Sequence, residues 1–327
     1  MLLLDGYRSG EREAGVRAPE LHVATRDVDG RPVWLRPFAA EPRSELSSAD
    51  RARALLEALA CDGLIRPIDA LWSEDRPVLV LERAPGAPAD VVARGSAGND
   101  LILAVGLQLA RSFDKLHAAG MLVGELTPDQ VWIDADALRA RIIDLSRARR
   151  IGERAPTSSG TRDFSLIAPE HSGWVSWEVS VRSDLYGLGA LLYLVASGRA
   201  PCGSGEGVDV IRGHVAGMPA PLHALRPAIP VALSRIVARL LEKHPDKRYQ
   251  SARGLEQDLL ECQAQLARDG SISAEMPLGT RDPVTPACAR GLAQAAQPAF
   301  DELREALERT RGGGREWLIA TRPHGGP

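Results

Sequence analysis

The 327-residue chain has little of what marks several large protein classes. It holds four cysteines, Cys61, Cys202, Cys262 and Cys288, with no C-x-x-C pair among them. Neither a zinc site nor a disulfide framework is therefore expected, and a reducing cytoplasm fits. It has no apolar run long enough to span a bilayer: residues 1–4 end at Asp5, and residues 185–196 are short and broken by glycine. It lacks an excess of either charge. The 40 basic and 43 acidic residues are dispersed and leave a net charge of −3, so no field is expected that would draw nucleic acid or anionic lipid. Its seven histidines suggest no metal-ligand cluster, no Ser-His-Asp order or paired-carboxylate spacing stands out, and no internal repeat is visible.

What is present is 44% hydrophobic residues, enough for one large two-lobed domain or two ordinary ones. Residues 20–26, 33–36 and 77–82 are short apolar or alternating runs separated by turn signals such as Asp29-Gly30, which predicts strands. Between them Ser47-Ser48-Ala49-Asp50 can cap a helix that carries Ala54, Leu55, Leu56 and Leu59 on one face; its ordinary role is packing. After Arg83 the segment APGAPAD reads as a hinge, and from Asp100 onward helical periodicity takes over at 101–118, 184–197 and 231–242. The expectation is an α+β chain with a β-rich lobe over 1–83 and a larger helical lobe over 84–268. Residues 269–298, with several Pro and Gly, read as a linker, and an amphipathic helix is predicted at 299–310.

Three passages carry more. Residues 116–133, LHAAGMLVGELTPDQVWI, have the frame of a catalytic loop; Asp144-Leu145-Ser146 and Ala168-Pro169-Glu170 follow where D-F-G and A-P-E would stand. The runs SLIAPEHSGWVSWEVSVRSDLYGLGALLYLVASGRAPC and IVARLLEKHPDKRYQSARGLEQDL complete the pattern. Over residues 7–265 the chain resembles bacterial serine/threonine protein kinases, in particular the N-terminal kinase-like domain of multidomain sensors that continue into a P-loop ATPase and a histidine kinase. The resemblance implies a two-lobed protein-kinase fold. It also implies a buried ion pair between Glu170 and Arg248, and an Asp184 that accepts backbone hydrogen bonds beneath the catalytic loop; these three hold the fold.

Phosphoryl transfer is mostly positioning and charge neutralisation, so the family's parts can be sought one by one. The glycine-rich loop falls near residues 10–21, but Gly10-Glu11-Arg12-Glu13-Ala14-Gly15 lacks the G-x-G-x-x-G spacing. V-A-I-K reads Val33-Trp34-Leu35-Arg36, placing a wider guanidinium at the Lys position; an exposed strand charge is the plain alternative for Arg36. The Glu that would clamp this cation aligns with Ala52. Leu81 and Glu82 fall at the nucleotide-facing end of their strand. Trp34 and Trp132 stand where the family builds the ceiling and floor of the adenine slot, and are expected to fill it; a purine sandwiched between the indoles is the other arrangement. Glu125 takes the base position with one methylene too many. Gly124 and Thr127 remove the Arg that grips an activation-segment phosphate and the Lys that neutralises the transferred group. Gln130 takes the Asn position with an amide oxygen for magnesium, and Asp144 keeps the metal-binding Asp, a weak site at most by itself. Leu56, Val123 and Leu145 are apolar where active kinases join the lobes by a hydrophobic column. Thr157, Ser158, Ser159 and Thr161 could be phosphorylated, though exposed hydroxyls in such a loop are common. His117 reads as a packed structural residue.

Residues 299–327, with FDELREALERT and REWLIAT, resemble the start of a P-loop ATPase domain, but no Walker Lys or Ser/Thr follows. No P-loop function is expected, and the chain reads as the first part of a longer architecture. The expectation for the whole is a kinase-like domain of a bacterial cytoplasmic signalling protein that has lost catalysis. It would act through protein partners, with no cofactor and with neither nucleic acid nor membrane as partner. The alternative is an active serine/threonine kinase using ATP and Mg, with Glu125 as base, Asp144 and Gln130 on magnesium and Arg36 on the phosphates. A nucleotide sensor without transfer requires only an open pocket between Trp34 and Trp132.

Overall fold

Alternation along two sequence runs sets the first lobe. Val33, Leu35, Val78 and Val80 pack with Ala24 in a small outer cluster, while Trp34, Leu79 and Leu81 face the main core, the period-2 division of a sheet with two covered faces. The computed structural model describes residues 4–12, 20–42, 47–145, 147–153, 163–203 and 207–282. Five antiparallel strands, β1 (Tyr7–Arg12), β2 (His22–Arg26), β3 (Pro32–Pro37), β4 (Pro67–Ser73) and β5 (Arg76–Glu82), form a sheet in the order β1-β2-β3-β5-β4. The three apolar runs of the sequence correspond to β2, β3 and β5. The sequence reading missed β1 and β4 because both are edge strands with a single neighbour, where polar residues such as those of YRSGER and the Pro and Asp of PIDALWS are tolerated. Helix α1 (Ser48–Ala58) opens on a capping box in which Asp50 N donates to Ser47 Oγ (3.1 Å) and Ser47 N to Asp50 Oδ2 (2.9 Å). Its apolar face is narrower than its leucines suggest: Leu56 and Leu59 are buried, Ala54 and Leu55 only partly.

The hinge follows. β6 (Ala87–Pro88) runs into the single turn α2 (Ala89–Val92), and Gly86, at φ +108°, lies so close to Ile133 that a Cβ would stand 2.2 Å from its carbonyl oxygen. The helical lobe is built from α3 (Asn99–Ala118), then the short strands β7 (Met121–Leu122), β8 (Val131–Asp134), β9 (Arg139–Ile142) and β10 (Arg149–Arg150). After these come α4 (Val181–Ser197), α5 (Val208–Ala216), α6 (Leu222–Leu225), α7 (Val231–Leu240) and α8 (Ala252–Asp269). β6 pairs with β8, β8 with β9 and β7 with β10. α4 is buried on every side from Leu185 to Ala196, the pattern of a helix at the centre of a lobe, and ends on Gly198 in the left-handed region. One core cluster runs from Trp34 and Leu56 through α3 and α4 to Leu255 and Leu259 of α8, joining the lobes. The molecule is thus the two-lobed α+β arrangement expected. Among the described residues no helix is long and apolar enough to cross a membrane.

The first part of the expected linker has structure of its own: residues 271–282 lie against α7 and α8, with Ile272, Met276 and Asp282 buried. The remainder, together with the helix expected at 299–310 and the P-loop-like strand, lies outside the described residues. So do Thr157, Ser158, Ser159 and Thr161, and residues 13–19 of the expected glycine-rich loop.

His214 of α5 is fully buried, its Nδ1 2.9 Å from the Tyr186 hydroxyl. Burial, aided by the charge of Lys243, pushes the imidazole down to about 4. The unfolded chain therefore binds a proton that the folded chain refuses between the ordinary histidine value and about 4, so this stability is present above that window and lost as pH falls through it. In chemical unfolding, the advantage of the unmodified protein over His214→Asn is expected to shrink by about 3 kcal/mol from pH 6.5 to 4.

Candidate functional site

Strand register sets the cleft between the lobes. Trp34 faces Leu81 across β3 and β5, Trp132 faces Pro88 across β6 and β8, and the two rings meet edge to face with centroids 4.7 Å apart at 69°. Trp34 is 0% and Trp132 4% exposed. At the end of β5, Glu82 accepts a hydrogen bond from Arg141 Nη1 (2.7 Å), and its own N–H goes to the Arg66 carbonyl (3.0 Å). The space left beside Trp132, lined by Ala84, Pro85, Asp134, Ala137, Arg139 and Arg141, is about 70 Å³. Small-molecule sites run from roughly 300 to 1,000 Å³. A shallow depression of about 670 Å³ lies outside the tryptophans along Pro85 to Ala87 and Ile133 to Ala137, and none of Arg36, Glu125, Gln130 or Asp144 lines it.

Arg36 sits two residues beyond Trp34 in β3 and so shares its inward face. The exposed-charge alternative does not hold. Its guanidinium is buried, 4.2 Å from the Phe38 ring centroid, with Nη2 2.8 Å from Asp144 Oδ1 and Nε without a hydrogen-bond partner. Ala52 offers it no carboxylate, and Asp144 takes that place. The other Asp144 oxygen receives Gln130 Nε2 at 3.3 Å. Here the sequence expectation needs a correction: the Gln130 amide oxygen does not face Asp144. It accepts from Thr127 N (2.9 Å), closing a reciprocal capping box over the single 3₁₀ turn Pro128–Gln130 and leaving the NH₂ end toward Asp144. Among the described residues no group of three His, Cys, Asp or Glu stands close enough to hold a metal ion. The Asp144 carboxylate is thus offered a guanidinium and an amide donor.

Glu125, at the base position, accepts from Arg147 Nη1 at 3.0 Å. Beside it Gly124 adopts φ +88°, and a Cβ there would stand 2.4 Å from the Arg147 carbonyl oxygen and 3.1 Å from Arg149 Nη1. A guanidinium does stand beside Gly124: that of the buried Arg149 of β10, whose Nη2 lies 3.2 Å from His171 Nε2. Sequence reasoning missed Arg147, Arg149 and His171. The basic run from 147 to 150 was a visible signal, but the handedness of Gly124 that admits Arg149 was not.

The framework beneath is fully paired. Asp184 accepts from Val123 N (2.8 Å) and Gly124 N (3.0 Å) and lies 2.9 Å from His117 Nε2. Arg248 grips Glu170 with two bonds, 2.6 and 2.9 Å, and donates to the carbonyls of Arg182, Glu242 and Lys243 at 2.7–2.8 Å; both side chains are 0% exposed. Burial would raise the Glu170 carboxyl, but the bond and charge of Arg248 outweigh it and hold the group below its ordinary value. Leu56 and Val123 are buried and Leu145 half-buried, all within the main core.

The sequence matches the family described as "Protein kinase domain" over residues 38–260. It is 30% identical over 292 residues to the serine/threonine-protein kinase pkn2 of Myxococcus xanthus, covering 85% of this chain and 34% of that protein. It is 31% identical over 153 residues to the serine/threonine-protein kinase PknH of Mycobacterium tuberculosis, 46% of this chain and 24% of the relative. Against the hybrid signal transduction histidine kinase G of Dictyostelium discoideum it is 39% identical over 107 residues, 33% of this chain and 3% of the relative. The chain thus spans about a third or less of the length of these relatives.

Proposed function

From the premise that this chain belongs to the protein kinase family, as a domain similar to bacterial serine/threonine kinases, we propose that it is a catalytically inactive, cytoplasmic module that works in signalling by binding other proteins. One observation carries this reading: the buried pair of Arg36 and Asp144 lies on the same inward face as the Trp34 and Trp132 contact. Phosphoryl transfer needs a free cation on the phosphates and carboxylate and amide oxygens on magnesium. Here the cation neutralises the carboxylate, the amide oxygen is consumed by Thr127 N, and the indoles meet at the positions where the resemblance implies an adenine slot. A nucleotide would have to part the indoles and draw Arg36 away from Asp144. The likeness to a hybrid signal transduction histidine kinase agrees with a signalling context.

The second reading is an active serine/threonine kinase using ATP and magnesium, and it is favoured by the retained Asp144 and by the likeness to serine/threonine-protein kinases. Glu125 would then be the base, released from Arg147, and Arg36 would leave Asp144 for the phosphates. Incubation with labelled ATP, magnesium and a general protein substrate separates the two. Incorporation no greater than that of Asp144→Ala is expected, whereas incorporation that depends on Asp144 would establish the enzyme.

A further inference from the structure

The segment from 271 to 282, which its composition marks as a linker, is held by groups of three kinds. Arg235 Nη1 donates to the carbonyls of Ala274 (2.6 Å) and Met276 (3.2 Å), and Arg239 Nη1 to that of Leu278 (2.8 Å). Asp258 Oδ2 accepts both Gly279 N (2.7 Å) and the Tyr249 hydroxyl (2.6 Å), and Met276 is buried with its sulfur 3.9 Å from Cys262 Sγ. At the far end the buried carboxylate of Asp282 receives Gln250 N (2.6 Å), Ser251 N (3.1 Å) and Ser251 Oγ (2.9 Å).

Two glycines make room for it. A Cβ at Gly254 would stand 2.2 Å from Asp282 Oδ1, and one at Gly279, which has φ +68°, 2.3 Å from Arg239 Nη1. The residues that Asp282 grips, Gln250 and Ser251, are one and two positions beyond Tyr249, which itself follows Arg248. Gln250 returns its side-chain amide to the Arg248 carbonyl at 2.9 Å, and Arg248 forks onto Glu170. A continuous line of hydrogen bonds therefore runs from Asp282 through Gln250 and Arg248 to the segment that carries Glu170.

We propose that residues 271–282 are a clasp: they fix where the chain leaves the helical lobe and couple displacement of the chain beyond Asp282 to the Glu170–Arg248 anchor. A flexible tether would leave such movement unfelt, whereas a strap hydrogen-bonded at both ends passes it on. The coupling runs both ways, so a change at the Glu170 segment alters the hold on Asp282. Nothing in this depends on whether the cleft binds nucleotide.

Hydrogen exchange measured on the whole chain, unmodified and as Asp282→Ala, tests it. Amides of residues 163–172 and 243–251 are expected to exchange about tenfold faster in the variant, the equivalent of about 1.4 kcal/mol of local stability, while those of α3 keep their rates. Faster exchange confined to 271–282, no change at all, or a uniform rise that includes α3 would overturn the clasp. Should Asp282→Ala fail to fold, Asp282→Asn, which keeps the size of the side chain but loses its charge and one acceptor oxygen, is expected to give the same distribution at smaller amplitude, and the same three results would count against it.

Discussion

Arg248→Ala is expected to lower the unfolding free energy by about 3 to 5 kcal/mol, the range found when one partner of a buried ion pair is removed. The Glu170 carboxylate would keep only Ser183 Oγ (2.8 Å) among its side-chain donors, in a place water does not reach, and three carbonyls would lose their donor as well. For a domain whose whole stability is about 5 to 15 kcal/mol, this is a large share. Arg248→Lys keeps the charge but not the fork, so it should recover part of the loss. Denaturant unfolding of both variants measures this; a cost under about 1 kcal/mol for the alanine variant would mean that the pair is not the anchor its geometry indicates.

Trp34→Ala should have two opposed effects. Removing a fully buried indole is expected to cost about 3 to 5 kcal/mol of stability, and to take the edge-to-face partner from Trp132. It should also open space beneath Leu81, in the slot the indole now fills. Nucleotide is therefore expected to raise the unfolding temperature of the variant and to leave that of the unmodified protein unchanged. Thermal melts with and without ATP read both effects together. If the variant is destabilised but gains no response to nucleotide, Trp34 is a core residue alone.

These expectations rest on a site that was only partly legible in the sequence. β2, β3 and β5 were readable because each carries a buried face and has neighbours on both sides; β1 and β4, at the sheet edges, have no such pressure on their composition. That Trp34 and Trp132 would face one another could be read from the frame of the motifs, since strand register carries position faithfully. Partner choice was harder. Arg36 was judged against the helix that usually supplies its carboxylate, and with Ala52 there the cation turns instead to Asp144, a pairing set only by tertiary structure. Gln130 was assigned by chemical type, but a local capping box competes for its oxygen within three residues, and the local bond wins. The same applies to Arg149, whose place depends on Gly124 taking positive φ. Residues 271–282 misled by composition: their one proline, Pro277, and one glycine, Gly279, belong to a docked strap, in which Gly279 is the residue that lets Arg239 approach the backbone.

In the proposed reading the cleft is closed by its own residues, with Arg36 on Asp144 and Trp34 against Trp132. Calorimetric titration of the unmodified protein with ATP, with and without magnesium, tests this most directly. The account expects no saturable heat in either condition. Magnesium-dependent binding in the low micromolar range, about −7 to −8 kcal/mol, would contradict it.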